Sequence, residues 1–445
     1  MASAAEQLAA NMNFGALSKA TELKKRIWFT LGALIVYRIG TYVPIPGIDP
    51  IALQEIFELQ QQGVLGMFNL FSGGALSRMT IFALNIMPYI SASIIMQLMT
   101  AVSPKMEALK KEGEAGRKKI NQYTRYGTVV LCALQGYGIA IGLEGMTASS
   151  GSVVIDGGMF FRISTVITLV GGTIFLMWLG EQITARGVGN GISLIIFAGI
   201  IAELPSALVG TLELNRTGAL STLVILGIII IAIATIIFIV FIERAQRRIL
   251  IQYPKRQAGR FGGESTHLPL KLNTAGVIPP IFASAILLMP VTIANFSAQG
   301  GPEWLTTVTA LLGPGQPAYM AIYMIGIVFF CFFYTAIMFN PTETADNLKK
   351  QGGFVAGIRP GERTAQYLDF VLTRLTVVGA GYLAIVCLLP EIMRSQYAVP
   401  FYFGGTSLLI VVSVTMDTVT QVQSHLLAHQ YEGLIKKSKL RGRKR

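Results

Sequence analysis

Catalysis needs nucleophiles, acids, bases or metal ligands that can converge, and the 445 residues of this chain offer few. His267, His425 and His429 build no metal-ligand set with one another, no Ser/His/Asp set is evident, and no G-x-x-x-x-G-K-[ST] phosphate loop occurs. Intrinsic ATP hydrolysis is not expected, no catalytic residue, metal or cofactor is assigned, and the chain reads as non-enzymatic. Cys132, Cys331 and Cys387 lie far apart inside apolar stretches, which suggests neither a disulfide framework nor a zinc site. The remaining chemistry is ionic: Arg38, Glu144, Glu181, Glu203 and Asp417 fall in or near long apolar runs. A charge inside a membrane is by default a functional hypothesis, such as a step in a proton relay. Most of these five lie near the ends of their runs, where an interfacial anchor is the simpler reading. They do not assemble into the carboxylate or histidine relay that a proton-coupled carrier needs, so any work done here must be driven by something else.

The elements that position these residues are apolar helices. Hydrophobic residues make up 52% of the chain and charged ones only 13%, against about 25% charged in a soluble domain. With a mean hydropathy of +0.58, a water-soluble fold could not cover itself. The expected class is an all-α integral membrane protein, because a bilayer forces each spanning element to satisfy its own backbone. Residues 220 to 242 pass 23 positions without a charge, enough to cross ~30 Å of hydrocarbon as a helix and incompatible with the alternating strands of a barrel. Ten spans are expected, near 27–46, 79–102, 126–146, 162–181, 192–210, 220–242, 274–294, 318–340, 375–393 and 401–422. The first 23 residues hold no long apolar core and no convincing cleavage site, so no removable signal peptide is expected.

The net charge of +13 acts first as an orientation signal. Lys and Arg are retained on the cytoplasmic side during insertion, and 31 of the 36 fall in the amino-terminal tail and in the segments 103–125, 182–191, 243–273, 341–374 and 423–445. Both termini are therefore expected in the cytoplasm, and direct DNA binding is a poor reading of the charge. The segments 243–273 and 341–374 are long for simple connections and are candidates to dock a large anionic or acidic partner.

Ten spans split into five and five, and an odd number per half requires opposite insertion of related halves. A repeat is hinted at directly: residues 86–95, IMPYISASII, laid on 277–286, VIPPIFASAI, match at five of ten positions. Both strings carry proline where a helix would lose a hydrogen bond, so both helices are candidates to line a cavity. The expected organisation is a tail (1–26), an amino-terminal half (27–210), a carboxy-terminal half (211–422) and a basic tail (423–445). Between the first two spans, residues 64–78 (VLGMFNLFSGGALSR) are apolar yet too short to cross. Val64, Leu65, Met67, Phe68, Leu70 and Phe71 would give a short helix an apolar surface, which Gly73 and Gly74 would end. On the residues alone it is either an interfacial helix or a re-entrant plug.

Several strings closely resemble the SecY family, the central subunit of the Sec protein-conducting channel: YVPIPGID (42–49), MFNLFSGGALSR (67–78), IMPYISASII (86–95), KKEGEAGRKKINQYTRYGT (110–128), MWLGEQITARGVGNGIS (177–193), STHLPLK (265–271), GVIPPIFAS (276–284), FNPTETADNLKK (339–350), GIRPGERT (357–364) and PFYFGGTSLLIVV (400–412). Pro280, where Ala would be expected, is a modest departure. The resemblance implies two inverted five-helix halves in a clamshell around an hourglass pore, with Ile86, Ile90, Ile192, Ile196, Ile281 and Ile410 as the ring at its waist. Branched apolar side chains offer no hydrogen bonds, so a chain of any sequence slides past while the constriction dewets against ions.

The resemblance also makes 64–78 the plug, comprising Val64, Leu65, Met67, Phe68, Asn69, Leu70, Phe71, Ser72, Gly73 and Gly74. It implies a lateral gate where small and polar residues allow close approach and parting: Ser91, Ser93 and Gln97 on one side, Asn273, Thr274 and Ser284 on the other. Lys255, Arg256 and Arg359 would dock the ribosome or the SecA motor ATPase. The other implied partners are the small membrane subunits SecE and SecG, translocating polypeptides with their signal sequences, and lipid; the implied location is the bacterial inner membrane. Two rival readings stay open: a small-solute secondary transporter, which predicts a closed polar site at mid-membrane, and a non-conducting scaffold, which leaves the plug-like segment without a role.

Overall fold

The computed structural model describes residues 20–60, 69, 71–148, 151–217, 221–253, 266–297, 316–397 and 405–442. In chain order the elements are α1 (Thr21–Gly40), α2 (Pro50–Gln60), α3 (Met87–Val102), α4 (Pro104–Lys111), α5 (Glu114–Glu144), β1 (Thr147–Ala148), β2 (Gly151–Ser152), α6 (Met159–Arg186), α7 (Gly191–Arg216), α8 (Thr222–Arg244), β3 (Gln246–Gln252), β4 (Thr266–Lys271), α9 (Ile278–Ser297), α10 (Pro317–Met338), α11 (Pro341–Lys350), β5 (Phe354–Val355), α12 (Glu362–Tyr397) and α13 (Gly405–Gly442). Seven helices among the described residues are long and apolar enough to cross a membrane, and α3 and α9 are shorter apolar helices. With α1 they fall on the ten spans expected from hydropathy.

Helix starts follow local chemistry. Ser221 caps α8 by accepting from the Val224 N–H, and Asn340 caps α11 by accepting from the N–H groups of Thr342 and Glu343. The prolines expected to interrupt the second span of each half instead begin it. Pro88 is the second residue of α3, and Pro279 and Pro280 are the second and third of α9. First-turn N–H groups have no intrahelical acceptor, so proline costs little there. The two helices start at equivalent positions of the matched strings, Met87 and Ile278.

Several boundaries differ from hydropathy, as two cases show. The apolar stretch from 79 to 86 is not helical, because Met79 (φ 43°) and Asn85 (φ 48°) adopt left-handed backbone among successive turns. Conversely α12 runs 36 residues, about 54 Å at the helical rise, well beyond the hydrocarbon thickness.

The chain divides into two compact units. Unit 1 comprises 1–89, 125–205 and 410–445, and unit 2 comprises 90–124 and 206–409. Within unit 1, α1 packs on α6 through a file of rings in which Tyr37 stacks on Phe82 and Phe82 on Phe175, with centroids 6.1 and 5.9 Å apart. Within unit 2, α9, α10 and α12 pack in series, with Phe282 edge-on to Phe330 and Gly326 against Ala283.

The segments expected to be long loops carry a sheet in unit 2. Strands run antiparallel in the order β4-β3-β5, pairing Gln246 with Lys271 and Ile251 with Val355. Ile249, Leu270 and Val355 pack one face of this sheet onto Leu368, Val371 and Leu375 of α12. The alternation in QRRILIQ, a strand signal, is short and adjoins a helix end, so hydropathy reads past it.

Candidate functional site

Four expected features can be located on the described residues. The first is the end of the re-entrant segment, of which Asn69 and everything from Phe71 onward are described; Val64, Leu65, Met67, Phe68 and Leu70 lie outside the described residues. Phe71, Ser72, Gly73 and Gly74 are all buried within unit 1. Gly73 (φ 65°) and Gly74 (φ 81°) turn the chain through left-handed backbone. Contact distance makes the same demand: a Cβ on Gly73 would lie 2.9 Å from the Cα of Gly199 in α7, and one on Gly74 would meet a Glu203 carboxylate oxygen.

An irregular buried backbone must find partners for its carbonyls outside a helix ladder. Here side chains supply them. Asn85 donates its amide N–H to the Phe71 carbonyl (2.6 Å), the Tyr37 hydroxyl donates to that of Ser72 (3.3 Å), and Arg38 Nη1 donates to that of Gly73 (2.6 Å). The segment is also tied to itself, since Asn69 accepts at its side chain from the Ser77 N–H and at its carbonyl from the Gly74 N–H and the Ser72 hydroxyl. The guanidinium groups of Arg38 and Arg78 lie 5.0 and 4.2 Å from the ring centroid of Tyr42. Arg38 thus has a specific carbonyl partner, and the other ionisable residues noted in the sequence sort differently. Glu144 pairs with Arg162 at 2.6 Å, and Glu181 pairs with Arg125. Tyr37, Asn85 and Gly199 are not singled out by sequence reasoning. The available signals were an arginine inside an apolar run, an asparagine beside the first helical turn, and a glycine in a tightly packed helix.

The second feature is the set of six isoleucines. Ile86, Ile192, Ile196 and Ile410 belong to unit 1, and Ile90 and Ile281 to unit 2. Ile86, Ile90, Ile196 and Ile410 are buried, Ile192 and Ile281 are half-buried, and none of the six is exposed. Ile192 and Ile196 are one turn apart on α7 and share a face.

The expected gate residues all lie in unit 2. Gln97 donates to the Ser93 hydroxyl (3.3 Å) within α3, beside the half-buried Ser91. Ser284 donates to the Ile281 carbonyl (2.9 Å) and Thr274 to that of Lys271 (3.1 Å). Asn273 is buried, donates to Glu243 (2.7 Å) and to the Gly276 carbonyl (3.0 Å), and so ties the end of α8 to the turn that enters α9.

The fourth feature is the turn after β5. Gly357 (φ 83°) and Gly361 (φ 103°) bracket Ile358-Arg359-Pro360. Ile358 packs onto the sheet core while Arg359 is exposed, and the Thr364 hydroxyl donates to the Arg359 carbonyl (2.9 Å). Lys255 and Arg256 lie outside the described residues. No group of His, Cys, Asp and Glu that could hold a metal occurs among the described residues.

The SecY family profile matches residues 80–419. The protein translocase subunit SecY of Escherichia coli K12 is 59% identical over 424 residues, covering 95% of this chain and 96% of its own. Two solved structures share the fold at a TM-score of 0.61 and 18% identity, each covering 91% of this chain and 92% of its own. One shows that the plug domain of SecY stabilises the closed state of the translocation channel and maintains a membrane seal, and the other is Sec61 in the canine ribosome-channel complex from the endoplasmic reticulum. The architecture is that of an all-α membrane protein whose helices fall on ten spans, and this chain belongs to the SecY family.

Proposed function

We propose that this chain is the protein-conducting subunit of a translocase, passing unfolded secretory polypeptides across the membrane and releasing apolar helices sideways into lipid. The observation that carries the reading is the seated segment at 69–78. A short, non-spanning piece whose buried carbonyls at Phe71, Ser72 and Gly73 are held by side chains suits a plug rather than an interfacial helix. A small-solute carrier would want a convergent polar site at mid-membrane; Glu144 and Glu181 instead pair with nearby arginines and Arg38 braces the backbone.

In this reading Ile86, Ile90, Ile192, Ile196, Ile281 and Ile410 form the pore ring, and their lack of exposure supports it. Ser91, Ser93, Gln97, Asn273, Thr274 and Ser284 border the lateral gate. The halves 27–210 and 211–422 are related by inversion, supported by two helices that start at matched residues. The sheet and the Arg359 turn face the cytoplasm with both termini, in a bacterial inner membrane. There they dock the ribosome or SecA, with SecE and SecG as membrane partners and Lys255 and Arg256 adding charge. The exposure of Arg359 on a turn beside the sheet and the ribosome-bound neighbour of the same fold support this docking. The test is a photo-crosslinker at Ile90 and Ile281 with a secretory chain stalled in transit. Adducts at both positions are expected, and none at either would sink the pore.

A further inference from the structure

The connection from α6 into α7, Gly187 to Gly191, passes through irregular backbone whose N–H groups find acceptors on three helices. Gly187 N–H donates to the Ile183 carbonyl (2.7 Å) and Gly191 N–H to the Thr184 hydroxyl (2.8 Å), both in α6. Between them Val188 N–H donates to the Thr30 hydroxyl of α1 (3.0 Å), and Gly189 N–H to Oε1 of Gln421 in α13 (2.8 Å). Gly187, Val188, Gly189 and Gly191 are buried, and Arg26 Nη1 donates to the Gly187 carbonyl (3.4 Å). Val188 joins one apolar cluster with Leu23 and Ile27 of α1 and Val422 and Leu426 of α13. The turn demands glycine, since Gly189 holds φ 90° and a Cβ on Gly191 would meet the Gly180 carbonyl. The connection is thus a clasp on which α1, α6, α7 and α13 converge within unit 1.

Three of the residues assigned to the pore ring stand on helices that the clasp holds. Ile192 is the second residue of α7 and sits against α6, where a Cβ on Gly180 would come 3.1 Å from its Cγ1. Ile196 follows one turn later, and Ile410 lies on α13, about three turns before Gln421. Helices bend only gently over such lengths, so a bond at the clasp sets where those side chains stand. Resting on the pore-ring reading, we infer that Gln421 and Thr30 are positioning residues. Through the 187–191 loop they fasten α13 and α1 to the start of α7, so that Ile192, Ile196 and Ile410 are held as one fixed set. Ile410 falls in the expected carboxy-terminal half, 211–422, yet the clasp ties its helix to α1, α6 and α7. Without Gln421 the buried Gly189 N–H loses its acceptor, which removes the penalty on displacing α13.

The test uses the assembled complex with nitroxide labels on Ile201→Cys in α7 and Thr415→Cys in α13, both exposed positions; the native cysteines are buried, which keeps the background low. Pulsed electron spin resonance reads the distance between the labels. A narrow distribution is expected in the idle channel, with its centre unmoved when a secretory chain is stalled in transit; a shifted centre overturns the fixed set. Gln421→Leu is expected to broaden the distribution and to raise the idle ion leak in planar bilayers about tenfold, as loss of one hydrogen bond allows. Gln421→Glu keeps an acceptor oxygen and should leak within about twofold of the wild type, a rescue that a role in packing alone would not predict. Thr30→Val keeps the side-chain shape without the acceptor for Val188 and should act like Gln421→Leu. Unbroadened distances in both Gln421→Leu and Thr30→Val overturn the clasp and leave the pore reading intact. Broadened distances with an unchanged leak overturn the pore-ring reading instead, and the inference with it.

Discussion

Two parts of this molecule that lie outside its spanning helices solve the same backbone problem in opposite ways. The segment from Asn69 to Asn85 in unit 1 has almost no repeating structure, and borrows donors from Tyr37, Arg38 and Asn85 to satisfy buried carbonyls. The sheet in unit 2 satisfies its own backbone through the β4-β3-β5 ladder, which leaves Arg247, Arg248 and Arg359 exposed. A backbone that pairs with itself frees its side chains to face a partner, whereas a backbone that does not must spend side chains on itself. The contrast accounts for the exposed arginines on the sheet and for the close approach of Gly199 to Gly73 beside the irregular segment.

The contrast can be broken or sharpened by substitution. Arg359→Glu is expected to abolish motor-dependent translocation while the unfolding temperature of the purified complex and its ion leak stay at wild-type values; normal export by this variant would end the docking assignment. Leu368→Ala removes a fully buried side chain beneath the sheet and should cost about 2–5 kcal/mol, read as a lower unfolding midpoint with early proteolysis between 246 and 271. It should leave the maleimide labelling of Ser72→Cys alone, and a change there would mean the two regions are not separable. Gly73→Ala forces left-handed backbone on a residue with a Cβ and presses it against Gly199, at an expected cost of about 1–3 kcal/mol. Its signature is a raised ion leak in planar bilayers without substrate, and a silent channel would show that the close approach is dispensable. Asn340→Ala removes the cap of α11 and should cost about 1 kcal/mol, measured as faster amide exchange over residues 341–344 with no effect on leak.

Much of this was legible beforehand because membrane insertion is governed by local sequence. Residues 222–244 form a helix where an uncharged run predicts one. Proline misled in one respect: Pro88 and Pro279 read as breaks within spans, yet they mark where those spans begin, since the flanking residues at 79–86 and 272–277 are not helical. The sheet escaped notice because QRRILIQ and THLPLK acquire meaning only when paired, and neither string is apolar enough to stand out from its flanks. Arg38 was visible as a charge in an apolar run, but its acceptor was not, because the Gly73 carbonyl lies 35 residues away and carries no side-chain signature.

The amino-acid sequence alone settles what each stretch can tolerate: which runs can leave water, where the basic residues hold the chain back, and where glycine or proline is required. These depend on solvation and on backbone sterics, which act over a few residues. Tertiary structure alone decided which donor meets which carbonyl, that Gly199 closes on Gly73, and that two polar loops zip into one sheet. Those partners lie from 14 to more than 120 positions apart, and a contact between them exists only once packing has brought the atoms concerned to within about 3 Å.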